Sequence, residues 1–361
     1  MKQPLNSNIR LVARRAGVSP TTVSRVLNNN PIPSTGTREK VWQAVADLNY
    51  QPDPAFSQAL KLRRQTVRTA PVGTRTIGFF TNTFIRDRAQ RDDGYYSRVL
   101  AGIQAAAQEQ EYHLMIEAAP PGERGIPAMV KDNRVDGLLI EGRFPEAIRR
   151  HLSQRFPVVF VDNNYPGEQA GSVMPNIEAA VTEQVQYLWD LGHRQIITFQ
   201  PPAEHPVQQR LHWRGFQDFF LIRNLPIPAP KLCTPRAITP ETHVQVMAEY
   251  ARQVAAARPR PTAIVTWDIY ALSLMAELQQ LGLRVPEEIS LIGMDDTMEA
   301  RLATPQLTST RFPMDHMGRA ATELLLQQLR DRSRPVTHLL INGQLIERGS
   351  CAAVGKGTKA G

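Results

Sequence analysis

The residues of this chain best suited to chemistry are acids that close short apolar runs. Asp162 ends VVFVD, Asp268 follows AIVTW, and Asp295 and Asp296 follow SLIGM. Arg210 lies in QQRLHWRGF, and Tyr95 and Tyr96 open an amphipathic stretch. Carboxylates accept hydrogen bonds from paired hydroxyls, a guanidinium fork donates to ring and hydroxyl oxygens, and an aromatic face covers the apolar side of a ring. That set suits the binding of a sugar or similar polyol. Adjacent acids also suggest paired-carboxylate catalysis, but neighbours in a strand-end turn point apart. No GxxxxGK[ST], GxSxG, strand-borne GxGxxG or HExxH is present. Structural alternatives stay open: Asp268 as an N-cap, Asp296 capping the next turn, Tyr95 and Tyr96 in the core, Arg210 paired with an acid. His193, just after Gly192, reads as structural. Cys233 and Cys351 fit no metal pattern, and neither metal nor cofactor is expected.

A second group of polar residues lies in Asn8–Leu27, NIRLVARRAGVSPTTVSRVL. Ile9, Val12, Ala13 and Ala16 recur at helical spacing after an Asn8 N-cap, and Gly17 suits the position after the helix end. Ser19 caps a second helix with Pro20 at its first position, where a missing N–H costs nothing. Val23, Val26 and Leu27 face back, leaving Pro20, Thr21, Ser24 and Arg25 outward. Helix, glycine turn, helix is a helix-turn-helix whose second helix is dimensioned for the DNA major groove. A third helix is expected over about Thr35–Leu48, capped by Ser34, with Val41, Trp42, Val45 and Leu48 toward the core and Gly36 in its first turn.

From Arg75 onward the pattern supplies a scaffold for the strand-end acids. Short apolar strands, Thr76–Phe80, His113–Glu117, Val135–Ile140 and Val158–Asp162, then Gln195–Phe199, Ala263–Thr266 and Ile289–Gly293, alternate with amphipathic helices. Those include Tyr95–Gln110, Ile177–Leu191, His212–Arg223 and Ile269–Leu281. Such alternation implies parallel sheets covered on both faces, here two Rossmann-like lobes, with ligands at the carboxyl ends of the strands in the cleft between them. The predicted organisation is a helix-turn-helix DNA-binding domain over 1–52, a hinge helix and linker over 53–74, and a two-lobed α/β effector domain over 75–351. Lobe 1 takes about 75–173 and 313–340, lobe 2 about 174–312 and 341–351, and 352–361 is a disordered tail.

Charge agrees with this division. The net charge is +8; residues 1–70 hold 11 Lys/Arg against 3 Asp/Glu, and the remainder balances. A basic excess confined to one small module is the electrostatic footprint of nucleic-acid binding. No apolar run approaches the roughly 20 residues of a membrane span, and the N-terminus lacks a signal-peptide apolar region, pointing to the cytosol.

AGVSPTTVSRVLN, continued by TREKVWQAVADLNYQPDP, resembles the signature of the lactose-repressor/galactose-repressor (LacI) family, and the likeness extends more loosely to about residue 350. The resemblance implies a transcriptional regulator, with a periplasmic-binding-protein-like effector domain, reading a palindromic operator as a homodimer. It implies DNA contacts from Ser19, Pro20, Thr21, Thr22, Ser24, Arg25 and Asn28, and a hinge-helix leucine wedged into the minor groove. Leu60 is the first candidate for that wedge, with Ala59 and Leu62 as alternatives because the spacing from Pro52 is one residue longer than usual. It implies effector contacts from Asp162, Arg210, five residues before Gly215, and Asp295. Trp267 and Phe312 stand where several sugar-responsive members carry polar residues, making the pocket more aromatic. Tyr95 or Tyr96 completes it. A sugar or glycoside is the expected effector, a purine or other co-repressor the alternative, and a sugar-modifying enzyme a distant third. A transport-type binding protein would need an export signal. The tail Val354–Gly361 lacks the leucine-rich helix of tetrameric relatives.

Overall fold

The computed structural model describes residues 9–27, 32–48, 50, 73–82, 94–119, 125–165, 167–199, 206–228 and 242–355. The chain divides into two compact units, Met1–Val72 and Gly73–Gly361. The expected hinge helix, with Ala59, Leu60 and Leu62, and the expected N-cap Asn8 lie outside the described residues.

In the first unit, α1 (Ile9–Ala16), α2 (Pro20–Leu27) and α3 (Thr35–Asp47) surround a small core of Val12, Ala13, Ala16, Val23, Val26, Val41 and Ala44. Gly17 takes φ +67°, the left-handed turn after α1 that a side chain would strain. The Ser19 hydroxyl accepts from Thr22 N–H at 3.1 Å at the head of α2, and Ser34 accepts from Thr37 N–H at 3.4 Å at the head of α3. Trp42, expected in the core, is 52% exposed. Val41, Ala44, Val45 and Leu48 share one helical face, and position 42 falls about 100° off it.

The second unit contains the alternation read from the sequence, with strand limits moved by one or two residues. Its strands are β1 (Thr76–Asn82), β2 (His113–Ala119), β3 (Gly137–Glu141), β4 (Val158–Val161), β5 (Gly171–Pro175), β6 (Ile196–Thr198), β7 (Ala263–Val265), β8 (Ser290–Met294), β9 (Thr308–Arg311), β10 (His338–Ile341) and β11 (Gln344–Ile346). Its helices are α4 (Tyr95–Glu109), α5 (Ala128–Lys131), α6 (Glu146–Ser153), α7 (Ile177–Asp190), α8 (Pro206–Ile222), α9 (His243–Ala256), α10 (Asp268–Gln280), α11 (Met298–Leu302) and α12 (Met314–Arg330). One sheet runs β10-β5-β4-β3-β1-β2, all parallel; the other runs β11-β9-β8-β7-β6, parallel except for β11. Strands buried on both faces read as continuous apolar runs, as in VVFV of β4 and SLIGM of β8.

Each lobe borrows chain from across the unit. After β5 the chain leaves lobe 1 to build lobe 2 from α7 onward, returns after β9 as α12 and β10, and crosses again into β11. All three crossings leave from strand carboxyl ends, so those ends of the two sheets face each other. The crossings are tied together: Asn176 N–H donates to Ile341 O at 2.8 Å, and Asn176 Nδ2 to Asn342 Oδ1 at 2.8 Å. One apolar cluster runs through the junction, from Ile77 and Val161 through Phe312 and Met314 to Val181 and Ile292. Where helices meet most closely, glycine makes room: a Cβ at Gly102 of α4 would run into the Asp315 backbone of α12, and one at Gly215 of α8 into Glu178 of α7.

Two expectations about limits change. The helix expected from His212 begins six residues earlier, at Pro206, so α8 carries an extra turn and a half into the cleft. Part of the expected tail is fixed: Ala352 O accepts from His193 Nε2 at 3.0 Å, and Val354 N–H donates to Leu191 O at 3.0 Å. No described helix is long and apolar enough to cross a membrane.

Candidate functional site

The first unit presents α2. Val23 and Val26 anchor it, while Ser19, Pro20, Thr21 and Arg25 are exposed and Thr22 is half-buried with its hydroxyl 2.9 Å from that of Ser19. A helix held by its apolar face, with short polar groups and a guanidinium opposite, can enter a groove and reach base edges. The Ser24 side chain and Asn28 lie outside the described residues. Behind α2, Arg15 of α1 reaches Asp47 of α3 at 2.9 Å. Hydrogen bonds from Gln43 and Arg15 hold that carboxyl below its usual range.

In the second unit the strand ends gather a different set. On lobe 1, Thr81 Oγ1 donates to Glu141 Oε2 at 2.6 Å between the paired ends of β1 and β3. Asp162, one residue past β4, is buried in the left-handed region at φ +59°. Its backbone is pinned by its N–H donating to Val173 O at 2.9 Å. Tyr96 stacks on Phe79 at 5.8 Å, and its buried hydroxyl has no hydrogen-bond partner among the described residues. Burial first, and Glu141 second, push that phenol well above its usual range, so it is a neutral donor.

Lobe 2 faces this with α8 and the end of β7. Gln208 Nε2 donates across the cleft to Asp162 Oδ2 at 2.8 Å. One turn later the fully buried His212 imidazole stacks on Trp267, centroids 4.4 Å apart and 26° between planes, with Nδ1 3.3 Å from Thr198 Oγ1. Burial lowers its pKa to about 3, so the ring is neutral. Tyr270 meets Trp267 edge-on at 6.4 Å.

The neighbouring acids hold lobe 2 together. Asp268 neither caps α10 nor opens to the cleft: it is buried, accepting from Ser309 Oγ at 2.6 Å and from Thr297 N–H at 2.8 Å. Burial raises its pKa to about 7. Asp296 does not cap the next turn either. Its buried carboxylate accepts from Arg301 at 2.9 Å, Arg311 at 2.6 Å and Arg348, and these guanidinium bonds hold it below the usual carboxylate range against its burial. Asp295, beside it at φ +107°, is exposed, so the two acids point apart as adjacent strand-end residues should.

Of the residues singled out by sequence, Tyr96, Asp162, Trp267 and Asp295 stand at strand ends or helix starts on the cleft side. The Tyr95 side chain lies outside the described residues. Arg210 and Phe312 are not brought to the same place. Arg210 is exposed on α8, roughly 200° around the helix from both Gln208, which reaches Asp162, and His212, buried behind Trp267. Phe312 is 2% exposed in the crossing, where a Cβ on Gly343 would come within 2.9 Å of its ring. Thr81, Glu141, Gln208 and His212 are not among the residues the sequence singles out. Glu141 carries the same sign as Asp162, an acid ending an apolar run. Gln208 and His212 become legible, one turn apart, only once α8 starts at Pro206. Among the described residues no group of His, Cys, Asp and Glu could hold a metal ion.

Comparison with known proteins bears on both units. Residues 8–53 match the family model described as bacterial regulatory proteins, lacI family, and residues 185–351 match one described as a periplasmic binding protein-like domain. The chain is 31% identical over 350 residues to the HTH-type transcriptional repressor PurR of Vibrio vulnificus, covering 95% of this chain and 98% of that protein. It is 28% identical over 355 residues to the same-named repressor of Escherichia coli, covering 96% and 97%. Among solved structures, the regulator CelR in complex with cellobiose has a TM-score of 0.64 at 23% identity, covering 96% of this chain and 100% of that one. A Lac repressor dimer bound to operator and the anti-inducer ONPF has 0.60 at 24%, covering 96% and 99%.

Proposed function

The chain belongs to the LacI family of bacterial regulatory proteins and is a DNA-binding transcriptional repressor under small-molecule control, acting as a dimer on operator DNA; within that frame we propose how it reads DNA and what it senses. Thr21 and Arg25 of α2 read base edges in the major groove, and Ser19 and Thr22 fix the helix against the backbone. The effector is a small neutral molecule with a flat apolar face and several O–H or N–H donors, held in the cleft of the second unit. Trp267, backed by the neutral His212, covers its face. Asp162 and Asp295 accept its donors, and Tyr96 supplies a donor of its own. The chain binds this molecule without transforming it and works in the cytoplasm, where its operator is.

The observation that carries the reading is the Trp267–His212 stack opposite Asp162. A sugar or glycoside satisfies that geometry, as cellobiose is bound by CelR. The stacked aromatic pair, and full-length relatives that are PurR repressors, favour a purine as the second reading. A coupling of only ~1–3 kcal/mol between cleft and operator suffices for regulation.

The test is a thermal-shift screen of cellobiose, ribose, adenine and guanine on the full chain, repeated on Trp267→Leu and Arg210→Ala. One sugar or purine raises the midpoint of wild type and Arg210→Ala, and loses its effect in Trp267→Leu. A ligand that stabilises Trp267→Leu as well as wild type refutes the cleft assignment. In parallel, selection from a random duplex library returns an inverted repeat, whose preferred base changes in Thr21→Gln.

A further inference from the structure

Gln208 and Asp162 belong to different lobes. Gln208 lies in the first turns of α8, which the close Gly215–Glu178 approach seats on α7 in lobe 2. Asp162 follows β4 in lobe 1, 5% exposed, its N–H bonded to Val173 O. Neither side chain can follow the other if the lobes part: Asp162 is short and its backbone is fixed in a left-handed turn. Gln208 is held by a helix whose next turn buries His212 against Trp267. The 2.8 Å bond from Gln208 Nε2 to Asp162 Oδ2 therefore exists only with the cleft drawn together.

We propose that Gln208 is an interlobe clasp and the positioning residue for Asp162: its amide occupies, on that carboxylate, the place the effector's donor would take. An amide N–H on a buried carboxylate is the same bond a hydroxyl or ring N–H of a ligand would make. The effector enters by exchange, replacing one donor with another at Asp162, so a molecule with nothing to donate there cannot displace the clasp. The exchange rests on the cleft being the effector site, as proposed above; the clasp itself needs no effector.

The experiment uses the full-length chain without ligand and reads amide hydrogen exchange over residues 158–163 and 206–213, with α12 and β8 as internal references. Gln208→Leu keeps the volume and removes the donor. A hydrogen bond to a charged group is strong enough that its loss speeds exchange there by roughly 10- to 100-fold while the references hold. Gln208→Glu sets two carboxylates face to face and speeds it further. The double variant Gln208→Glu, Asp162→Asn restores the amide–carboxylate pair with donor and acceptor reversed, and brings exchange back to within about threefold of wild type. Exchange in Gln208→Leu equal to wild type overturns the clasp. So does a double variant no slower than Gln208→Glu, or one that loses protection in the references too, because a restored bond must rescue a clasp and need not rescue a merely structural site. If no sugar or purine binds the cleft but the rescue is seen, the proposed effector fails and the clasp stands; the reverse pattern fails the clasp alone.

Discussion

The neutral state of His212 makes a quantitative prediction through His212→Phe. Burial holds the imidazole at a pKa of about 3 against 6.5 for an exposed histidine. The native state therefore refuses a proton that the unfolded chain accepts. A folded pKa below the unfolded one gives stability that is complete above pH ~6.5 and lost as pH falls toward 3. Between pH 7 and pH 5 the unfolded histidine goes from about one-quarter to nearly fully protonated while the native ring stays neutral, which removes about 2 kcal/mol. Phenylalanine can keep the stack on Trp267, 4.4 Å away, but cannot titrate. Urea denaturation at pH 7 and pH 5, followed by a signal from the second unit, should show the variant losing about 2 kcal/mol less than wild type over that interval. Other titrating groups, including Asp268 with the opposite sign, cancel in the difference. Equal losses in the two proteins would refute the argument, because the imidazole would then be open to protons in the folded state and could not form a neutral wall.

Asp268 behaves in the mirror sense: its pKa is raised to about 7, so its stability is present at low pH and is lost as pH rises through 7. Asp268→Asn should gain about 2–3 kcal/mol on wild type between pH 5 and pH 8, read from paired urea midpoints. Asp296→Ala strands three guanidiniums. Arg301 and Arg311 are about 40% exposed and recover solvent, whereas Arg348, 11% exposed, does not. The cost should be ~3 kcal/mol, nearly independent of salt, and a loss that vanishes at high salt would show a surface pair instead. Arg25→Ala should weaken binding to the selected operator by ~1–3 kcal/mol and relax sequence preference. An equal loss on random duplex would make Arg25 a phosphate contact.

The helix-turn-helix was legible almost residue by residue because its determinants are local: Gly17 for the turn, Ser19 and Pro20 for the start of α2, Val23 and Val26 for its buried side. The strands were legible for the same reason, as apolar runs ending in polar residues. Trp42 shows where the pattern misleads, since one position of drift on a helix turns a large apolar side chain outward. The cleft was half legible. Asp162 and Trp267 stand out at strand ends, but Gln208 and His212 matter through a helix start that no cap residue announces. Asp268 and Asp296 look like ligand-binding acids in sequence, and only their partners Ser309, Thr297, Arg301, Arg311 and Arg348, distant along the chain, reveal them as fasteners. Arg210 had the right chemistry and the wrong side of a helix.

The borrowing of chain between lobes bears on how the protein is made. Lobe 1 receives β10 at its edge and α12 across β3, β4 and β5, while lobe 2 receives β11 at its own edge, all from the last stretch before Ile346. On the ribosome, the first five strands wait for about 140 more residues before α12 emerges to cover them, an interval of roughly 7–30 s at ordinary synthesis rates. During that time the faces of β3, β4 and β5 that α12 covers, and the β5 edge that β10 pairs with, are open to water or to a chaperone, and neither sheet has its full set of strands. A nascent chain halted after β9 should therefore stay protease-sensitive in both lobes at once, becoming resistant in one step when β10 and β11 are released together.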